Sequence, residues 1–119
     1  MTDIRRHLEI MLDVLDEKEW IQGDLFEGPH GLRGDQFAFP MEEVTGVCLA
    51  GSYTYAAICG MVTPIGWYEV SEAILAAAAD LFPDERCVTV PFLNDCKDTT
   101  IEDIRLVVKT AIEKASEAA

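Results

Sequence analysis

The sequence predicts an all-α or mainly α-helical fold in a single domain that spans residues 1–119, with about four principal helices. Three observations lead to this prediction. Apolar residues recur at helical spacing near both ends of the chain, an Ala-rich run marks a helix in its second half, and Gly and Pro residues concentrate in one long connection. A chain of 119 residues, half of them hydrophobic, can bury an adequate core without disulfides or metal.

The first helix is expected over residues 3–18, with Thr2 as its N-cap. Its apolar residues form one stripe, which we expect to face the core. The stripe consists of Ile4, Leu8, Met11, Leu12 and Leu15.

Residues 19–43 are expected to form a long connection, because their Gly and Pro residues exclude a long helix. A short extended segment at residues 36–39 is an option within it, ending before Pro40. Trp20 begins an apolar stretch that would expose much surface unless it packed. We therefore expect the start of the connection to be docked onto the core.

Three further helices are expected. The second spans residues 45–58, ends near Gly60 and is apolar nearly all round, so it should be the most buried. The third covers residues 67–82. Residues 87–93 are predicted as a short edge strand or an extended segment, because Pro91 interrupts an apolar, β-branched run. The last helix should start at Thr100, which forms a capping-box pattern with Asp103.

Acidic residues dominate the charge, with 22 Asp and Glu against 9 Lys and Arg and a formal net charge of −13. This excess argues against binding to nucleic acid and to anionic membranes, and two interpretations of it stay open: a basic partner, or solvated faces that bind no partner at all. Residues 44–68 carry no charge but lack the dense apolar run of a spanning helix. The N-terminal segment lacks the apolar region of a secretion signal, so we expect a cytoplasmic protein with reduced thiols.

The side chains that could hold a metal ion do not have a zinc-binding spacing. They are Cys48, Cys59, Cys87, Cys96, His7 and His30. We expect no metal and no cofactor, and we interpret the cysteines as small apolar residues. A thiol nucleophile would require His30 to approach Cys48 or Cys96, and nothing in the sequence requires that. No phosphate-binding glycine motif occurs, which argues against nucleotide hydrolysis. With none of these constellations present, no catalytic residue is assigned.

The polar residues of most interest are Gln22 and the Asn94–Asp95 pair, because each follows an apolar segment. Half-buried amides must find hydrogen-bond partners. Two interpretations remain open for the pair: it shapes a turn and satisfies backbone groups, or it contacts a ligand.

Short motifs around these residues resemble a family of small actinobacterial and actinophage proteins classed as a domain of unknown function. An N-terminal amphipathic helix precedes a W-x-Q-G motif at residues 20–23, a C-x-x-G motif at residues 48–51 opens a helix, and Asn-Asp at residues 94–95 precedes a Thr-led final helix. The chain departs from the family at Ser52-Tyr53, where Ala-Leu is usual, and at residues 96–98, where a Gly is frequent. The resemblance covers roughly residues 4–115 and implies a cytoplasmic setting and a phage or prophage origin. It also implies that five residues form one cluster: Trp20, Gln22, Cys48, Asn94 and Asp95.

Three functions are carried forward. The first is a non-enzymatic interaction protein, such as a phage-encoded accessory factor that binds a host protein. The second is a nucleic-acid mimic whose carboxylates occupy a basic site on another protein. The third is a small ligand-binding or enzymatic domain built on the five-residue cluster. The expected partner is an unknown protein, with a homo-oligomer as a further option, and neither nucleic acid nor a membrane is expected.

Overall fold

A computed structural model describes residues 3–62, 66–82 and 89–118 of the chain. Within these residues it contains five α-helices and one small sheet of four strands. The helices are α1 (Asp3–Glu17), α2 (Leu49–Ile58), α3 (Trp67–Leu81), α4 (Val90–Asp95) and α5 (Ile101–Ala118). The strands are β1 (Glu19–Trp20), β2 (Phe26–Glu27), β3 (Arg33–Gly34) and β4 (Gly46–Val47). The mainly α-helical prediction is confirmed in outline.

The core lies among four of the helices, where α1 packs against α2 and α5, and α5 packs against α3. The predicted stripe of α1 supplies fully buried side chains at Leu8, Met11 and Leu15. On α5, the buried residues Ile104 and Val108 are four positions apart and lie on one face. The periodicity of the sequence therefore identified the core faces of both terminal helices.

The predicted capping box is present at the start of α5. The Asp103 N–H donates to Thr100 Oγ1 over 3.2 Å, and the Thr100 N–H donates to Asp103 Oδ2 over 3.1 Å. Two backbone donors that the helix itself cannot satisfy are thus satisfied, even though Asp replaces the usual Glu.

The all-α prediction overstates the helical character, because the long connection contributes a mixed sheet with the order β1-β4-β2-β3. The β1 and β4 strands are parallel, with Trp20 opposite Val47, and β2 pairs antiparallel with both β4 and β3. Each strand has two residues, too few to show an alternating pattern in the sequence. The connection is therefore ordered by pairing between its two ends.

The option of an extended segment at residues 36–39 is wrong. These residues form a turn in which the Phe37 N–H donates to Asp35 Oδ1 and the Ala38 N–H donates to the Asp35 carbonyl. An Asp that accepts bonds from the backbone two and three residues on is a common turn former, and here it overrides the apolar composition of the segment.

The second helix was predicted to start at residue 45, but α2 begins at Leu49 with Cys48 as its N-cap. Residues Gly46 and Val47 instead form strand β4. Within α2, Gly51 faces the connection, where a Cβ would lie 2.2 Å from the Leu25 carbonyl oxygen. The glycine that weakens the helix locally is therefore required for close packing. Gly60, just after the helix, has a positive φ of 66°, as expected for a residue that ends a helix.

The prediction of a strand or extended segment over residues 87–93 is wrong where it can be compared, because Val90–Asp95 form helix α4. Residues 87 and 88 lie outside the described residues. Thr89 is the N-cap, and its Oγ1 accepts the Phe92 N–H over 3.1 Å. Pro91 lies in the first turn, where no backbone donor is needed, so it starts a helix here. The chain accordingly has one more helix than the four predicted. Among all the described helices, none combines the length and apolarity needed to cross a membrane.

Candidate functional site

The buried side chain of Asn94, near the end of α4, is the centre of a hydrogen-bond network. Its Oδ1 accepts the Trp20 Nε1–H over 2.7 Å and the Leu49 N–H over 2.9 Å. Its Nδ2 donates to the Ile21 carbonyl and to Asp95 Oδ1, both over 3.0 Å. Two donors and two acceptor positions exhaust the capacity of an amide group. Asn94 thus joins β1, the start of α2 and α4.

Gln22 and Asp95 extend this network on the solvent side. Gln22 Nε2 donates to the carbonyls of Asn94 and Cys96 over 2.9 and 3.0 Å, which satisfies backbone acceptors at the end of α4. Asp95 Oδ1 accepts the Gly23 N–H over 2.9 Å. In all three bonds the chain after β1 donates and the end of α4 accepts.

Cys48 connects the network to α2. Its Sγ accepts the Gly51 N–H over 3.2 Å, and its own N–H donates to the Leu25 carbonyl over 3.0 Å. Burial raises the pKa of the Cys48 thiol to about 11, and the negative charge of Asp95 adds to the shift, although the backbone N–H groups of Gly51 and Ala50 oppose it. The thiol is neutral near pH 7, where a nucleophilic cysteine would need to be a thiolate.

The structure brings all five residues of the predicted cluster together: Trp20, Gln22, Cys48, Asn94 and Asp95. Of the two interpretations given for the Asn94–Asp95 pair, the hydrogen bonds match the one in which it satisfies backbone groups. Trp20 is half-buried, and its ring packs against the core while its indole nitrogen bonds Asn94.

A pocket of about 190 Å³ lies beside the network. Three separate segments line it: the residues after β1, the start of α2, and α4. The lining residues are Gly23, Asp24, Leu25, Cys48, Ala50, Pro91, Asn94 and Asp95. Sequence reasoning missed five of them. Gly23, Asp24 and Leu25 follow the singled-out Gln22 directly. No pattern in the sequence connects them with Ala50 or Pro91, because only folding brings the three segments together.

The charged lining residues of this pocket are acidic, and one basic residue lies beside it, because Arg33 Nη1 donates to the Gln22 carbonyl over 2.8 Å, next to Gly23. Asp24 and Asp95, both exposed, are the charged residues of its described lining. Two backbone N–H groups at the start of α2 are already bonded, from Leu49 to Asn94 Oδ1 and from Gly51 to Cys48 Sγ. The partial positive charge of the helix end is about half an elementary charge, which does not offset two carboxylates.

The two histidines lie in different environments. His30 is exposed in the turn at residues 29–31, with a positive φ of 60°. His7 is fully buried on α1 and stacks on the Tyr53 ring with centroids 4.5 Å apart. Among the described residues, neither nitrogen of the His7 ring has a partner in hydrogen-bond geometry. Burial lowers the pKa of His7 below its ordinary value of 6.5, opposed by the nearby Tyr53 backbone.

The described residues contain no group of three His, Cys, Asp or Glu side chains placed to hold a metal ion. Cys48 is buried, Cys59 is exposed at the end of α2 and Cys96 is partly buried. Cys87 lies outside the described residues.

Comparison with known proteins gives one family. Residues 1–114 match DUF6197, which is described as a family of unknown function. No curated protein and no solved structure matches the chain.

Proposed function

We propose a function from the surface charge and the candidate site, since this chain belongs to DUF6197, a family of unknown function that supplies none. In this proposal the protein is a non-enzymatic interaction protein that binds a positively charged partner protein. The observation that carries the proposal is the formal net charge of −13 on a chain of 119 residues. A field of this strength steers oppositely charged partners and disfavours negatively charged ones.

Internal ion pairs reinforce the imbalance. Arg5 pairs with Glu9, Arg33 with Glu27, Arg105 with Asp16, and Lys114 with Asp80. Exposed pairs of this kind contribute little to stability. They do neutralise basic groups locally, so the acidic groups outside the pairs dominate the charge presented to a partner.

The hydrogen-bond network supports a non-enzymatic role. The Asn94 amide has its bonding capacity filled by groups of the chain itself, and Gln22 donates to two backbone carbonyls. The Cys48 thiol, with its pKa raised by burial, is a poor nucleophile near pH 7. These groups stabilise the junction between β1, α2 and α4.

Exposed apolar side chains offer anchors for a protein partner. Phe37 at the tip of the 35–38 turn is 86% exposed, Tyr68 on α3 is 71% exposed and Phe92 on α4 is 53% exposed. Aromatic residues surrounded by polar surface are frequent energetic centres of protein interfaces.

The setting that we propose is the cytoplasm of an actinobacterial host, with the protein acting as an accessory factor of phage or prophage origin. The motif resemblance at residues 20–23, 48–51 and 94–95 is what supports this origin.

The test is affinity capture of a partner from such a host, followed by binding measurements on the purified pair. We expect the affinity to fall several-fold between about 0.05 M and about 0.5 M salt, because screening shortens the range of electrostatic attraction. Two double variants test which acidic face is used: Asp13→Asn with Glu17→Gln on the exposed side of α1, and Glu42→Gln with Glu43→Gln. The variant whose carboxylates lie at the interface should weaken binding, and the other should leave it unchanged. Charge-preserving controls, Asp13→Glu with Glu17→Asp and Glu42→Asp with Glu43→Asp, should leave it intact.

Failure to capture any positively charged partner, or an affinity that does not depend on salt, would overturn the proposal. If the captured protein binds nucleic acid and the nucleic acid competes with this chain, the mimic alternative is favoured.

A further inference from the structure

We infer that the pocket beside the hydrogen-bond network is an anchor site for one Lys or Arg side chain of the partner, with the stem against its apolar wall and the cationic head at Asp24 and Asp95. This inference rests on the proposed function, because it names how the positively charged partner is held. It goes beyond that function in assigning a site, a ligand group and two recognition residues.

The size of the pocket fits a single side chain. Its volume is about 190 Å³, below the roughly 300–1,000 Å³ of ordinary small-molecule and cofactor sites. It opens at exposed residues, since Gly23, Asp24, Pro91 and Asp95 are all accessible to solvent. A side chain that projects from another protein could therefore enter from solvent.

The lining suits an amphipathic cation. Leu25, Ala50 and Pro91 provide apolar surface, and the Cys48 thiol is uncharged near pH 7. Long basic side chains bury their methylene stems against such surface while the charged head remains near water. A short polar or anionic side chain would leave this wall unused.

The charged head has a defined acceptor. The bonds that Asp95 accepts from described residues, from Gly23 and from Asn94, both reach Oδ1. These bonds orient the carboxylate and leave Oδ2 to accept from a ligand. Asp24 is a second acidic residue in the same lining. An anion would meet both acidic residues, while the N–H groups of Leu49 and Gly51 are already bonded and the nearby Arg33 is paired with Glu27 over 3.0 Å.

The pocket is held in shape by the fold. The bonds of Asn94 hold α4 against β1 and the start of α2. The absent side chain at Gly51 lets α2 approach Leu25 closely. A site whose walls are held before binding loses less conformational entropy on binding, which favours recognition of a small group.

The experiment uses n-butylguanidinium and n-butylammonium as probes, with butyrate and 1-butanol as matched controls. Amide chemical shifts of the isotope-labelled protein are followed during titration. We expect the cations to shift the amides of Asp24, Leu25, Ala50 and Asp95 in a saturable way, with a Kd on the order of millimolar. Butyrate should not bind there, and butanol should bind more weakly than the cations.

Variants separate charge from shape. Asp24→Asn and Asp95→Asn should each weaken binding of the cations about two- to five-fold, because each removes one ion pair. Asp95→Asn keeps an Oδ1 acceptor for the Gly23 N–H. Ala50→Leu should abolish binding of cations and butanol alike by filling the pocket, and Asp98→Asn, an exposed carboxylate outside the lining, should change nothing. Thermal melts of each variant establish that the fold is retained.

The outcomes for the pocket and for the proposed function are distinguishable. Butyrate binding as strongly as the cations, or no shift at the pocket amides, would overturn the inference. A salt-sensitive partner whose affinity is unchanged by Asp24→Asn, Asp95→Asn and Ala50→Leu would overturn the inference and leave the proposed function standing. If the cations bind at the pocket but affinity capture finds no protein partner, both the partner anchor and the proposed function are overturned, and a free amine or guanidine becomes the candidate ligand.

Discussion

At the scale of single residues, Asn94 has the densest set of contacts in the site. Its amide bonds Trp20, Leu49, Ile21 and Asp95 from a buried position. Removing it would leave several backbone and side-chain groups without partners, and an unsatisfied buried group costs more than the bond itself contributes.

We therefore expect Asn94→Ala to lower the free energy of unfolding by about 1–3 kcal/mol. Urea melts measure the change. Asp98→Ala, at an exposed position, is the control and should change the free energy by less than about 0.5 kcal/mol. If the amide served only a ligand, Asn94→Ala would instead melt like the unmodified protein.

A second residue with a measurable role is His7. Because its folded-state pKa lies below the unfolded value of 6.5, the unfolded chain binds more protons under acidic conditions. The contribution of His7 to stability is therefore fully present above pH 6.5 and is lost as the pH falls below that value, towards the lowered folded pKa.

We expect the stability difference between the unmodified protein and His7→Phe to shift in favour of the variant below pH 6.5, with a limiting slope of about 1.4 kcal/mol per pH unit. Phe retains an aromatic ring to stack on Tyr53. Urea melts across the pH range give the difference directly, and His30→Gln, at an exposed site, is the control. A difference that does not change with pH would mean that His7 is protonated equally in both states.

At the scale of elements, the docked connection of residues 19–43 depends on Trp20. The ring packs on the core, and its nitrogen bonds Asn94 over 2.7 Å. Aromatic truncations in cores cost about 3–5 kcal/mol, and the partial exposure of this ring places it at the lower end.

Trp20→Ala should accordingly lower the free energy of unfolding by about 3 kcal/mol. Phe37→Ala is the matched control, because Phe37 lies in the same connection and is 86% exposed. Equal free energies of unfolding for the two variants would show that Trp20 does not hold the connection against the core.

The contact between α2 and the connection gives a second test at this scale. Ala is a better helix former than Gly by about 1 kcal/mol. At Gly51, however, the new Cβ would lie 2.2 Å from the Leu25 carbonyl oxygen, a backbone atom that cannot simply rotate away.

We expect Gly51→Ala to destabilise the fold by about 1–3 kcal/mol despite its higher helix propensity, because it forces α2 away from the connection. Thr54→Ala, on the same helix, tests propensity without this contact and should stay within about 0.5 kcal/mol of the unmodified protein. Denaturant melts of both variants are compared, and a stabilised Gly51→Ala protein would contradict the packing.

At the scale of the whole molecule, charge is the dominant property. The net charge of −13 should prevent binding to duplex DNA near physiological salt, since phosphate binding requires basic groups that displace counterions. Fluorescence anisotropy with a labelled duplex should show no saturable change up to about 0.1 mM protein, which is the weak end of ordinary non-specific binding. Salt-sensitive micromolar binding would contradict this prediction.

The sequence alone determined α1, α3 and α5, including the Thr100 cap, because the hydrogen bonds and apolar period of a helix lie within one segment. It also pointed to the residues of the network, since polar side chains after apolar segments need partners. Helix α4 was missed because Pro91 is compatible with an edge strand and with a first helical turn, and the local sequence does not decide between them.

Only the tertiary structure decided the sheet, the start of α2 and the pocket. Strands of two residues carry no periodic signal, and β1 finds its partner β4 only when the chain folds back on itself. In the same way, Asp24, Ala50 and Pro91 become one lining because three distant segments converge on Asn94. Local propensity specifies elements whose bonds close within a segment, whereas contacts between distant segments depend on the free energy of the assembled core.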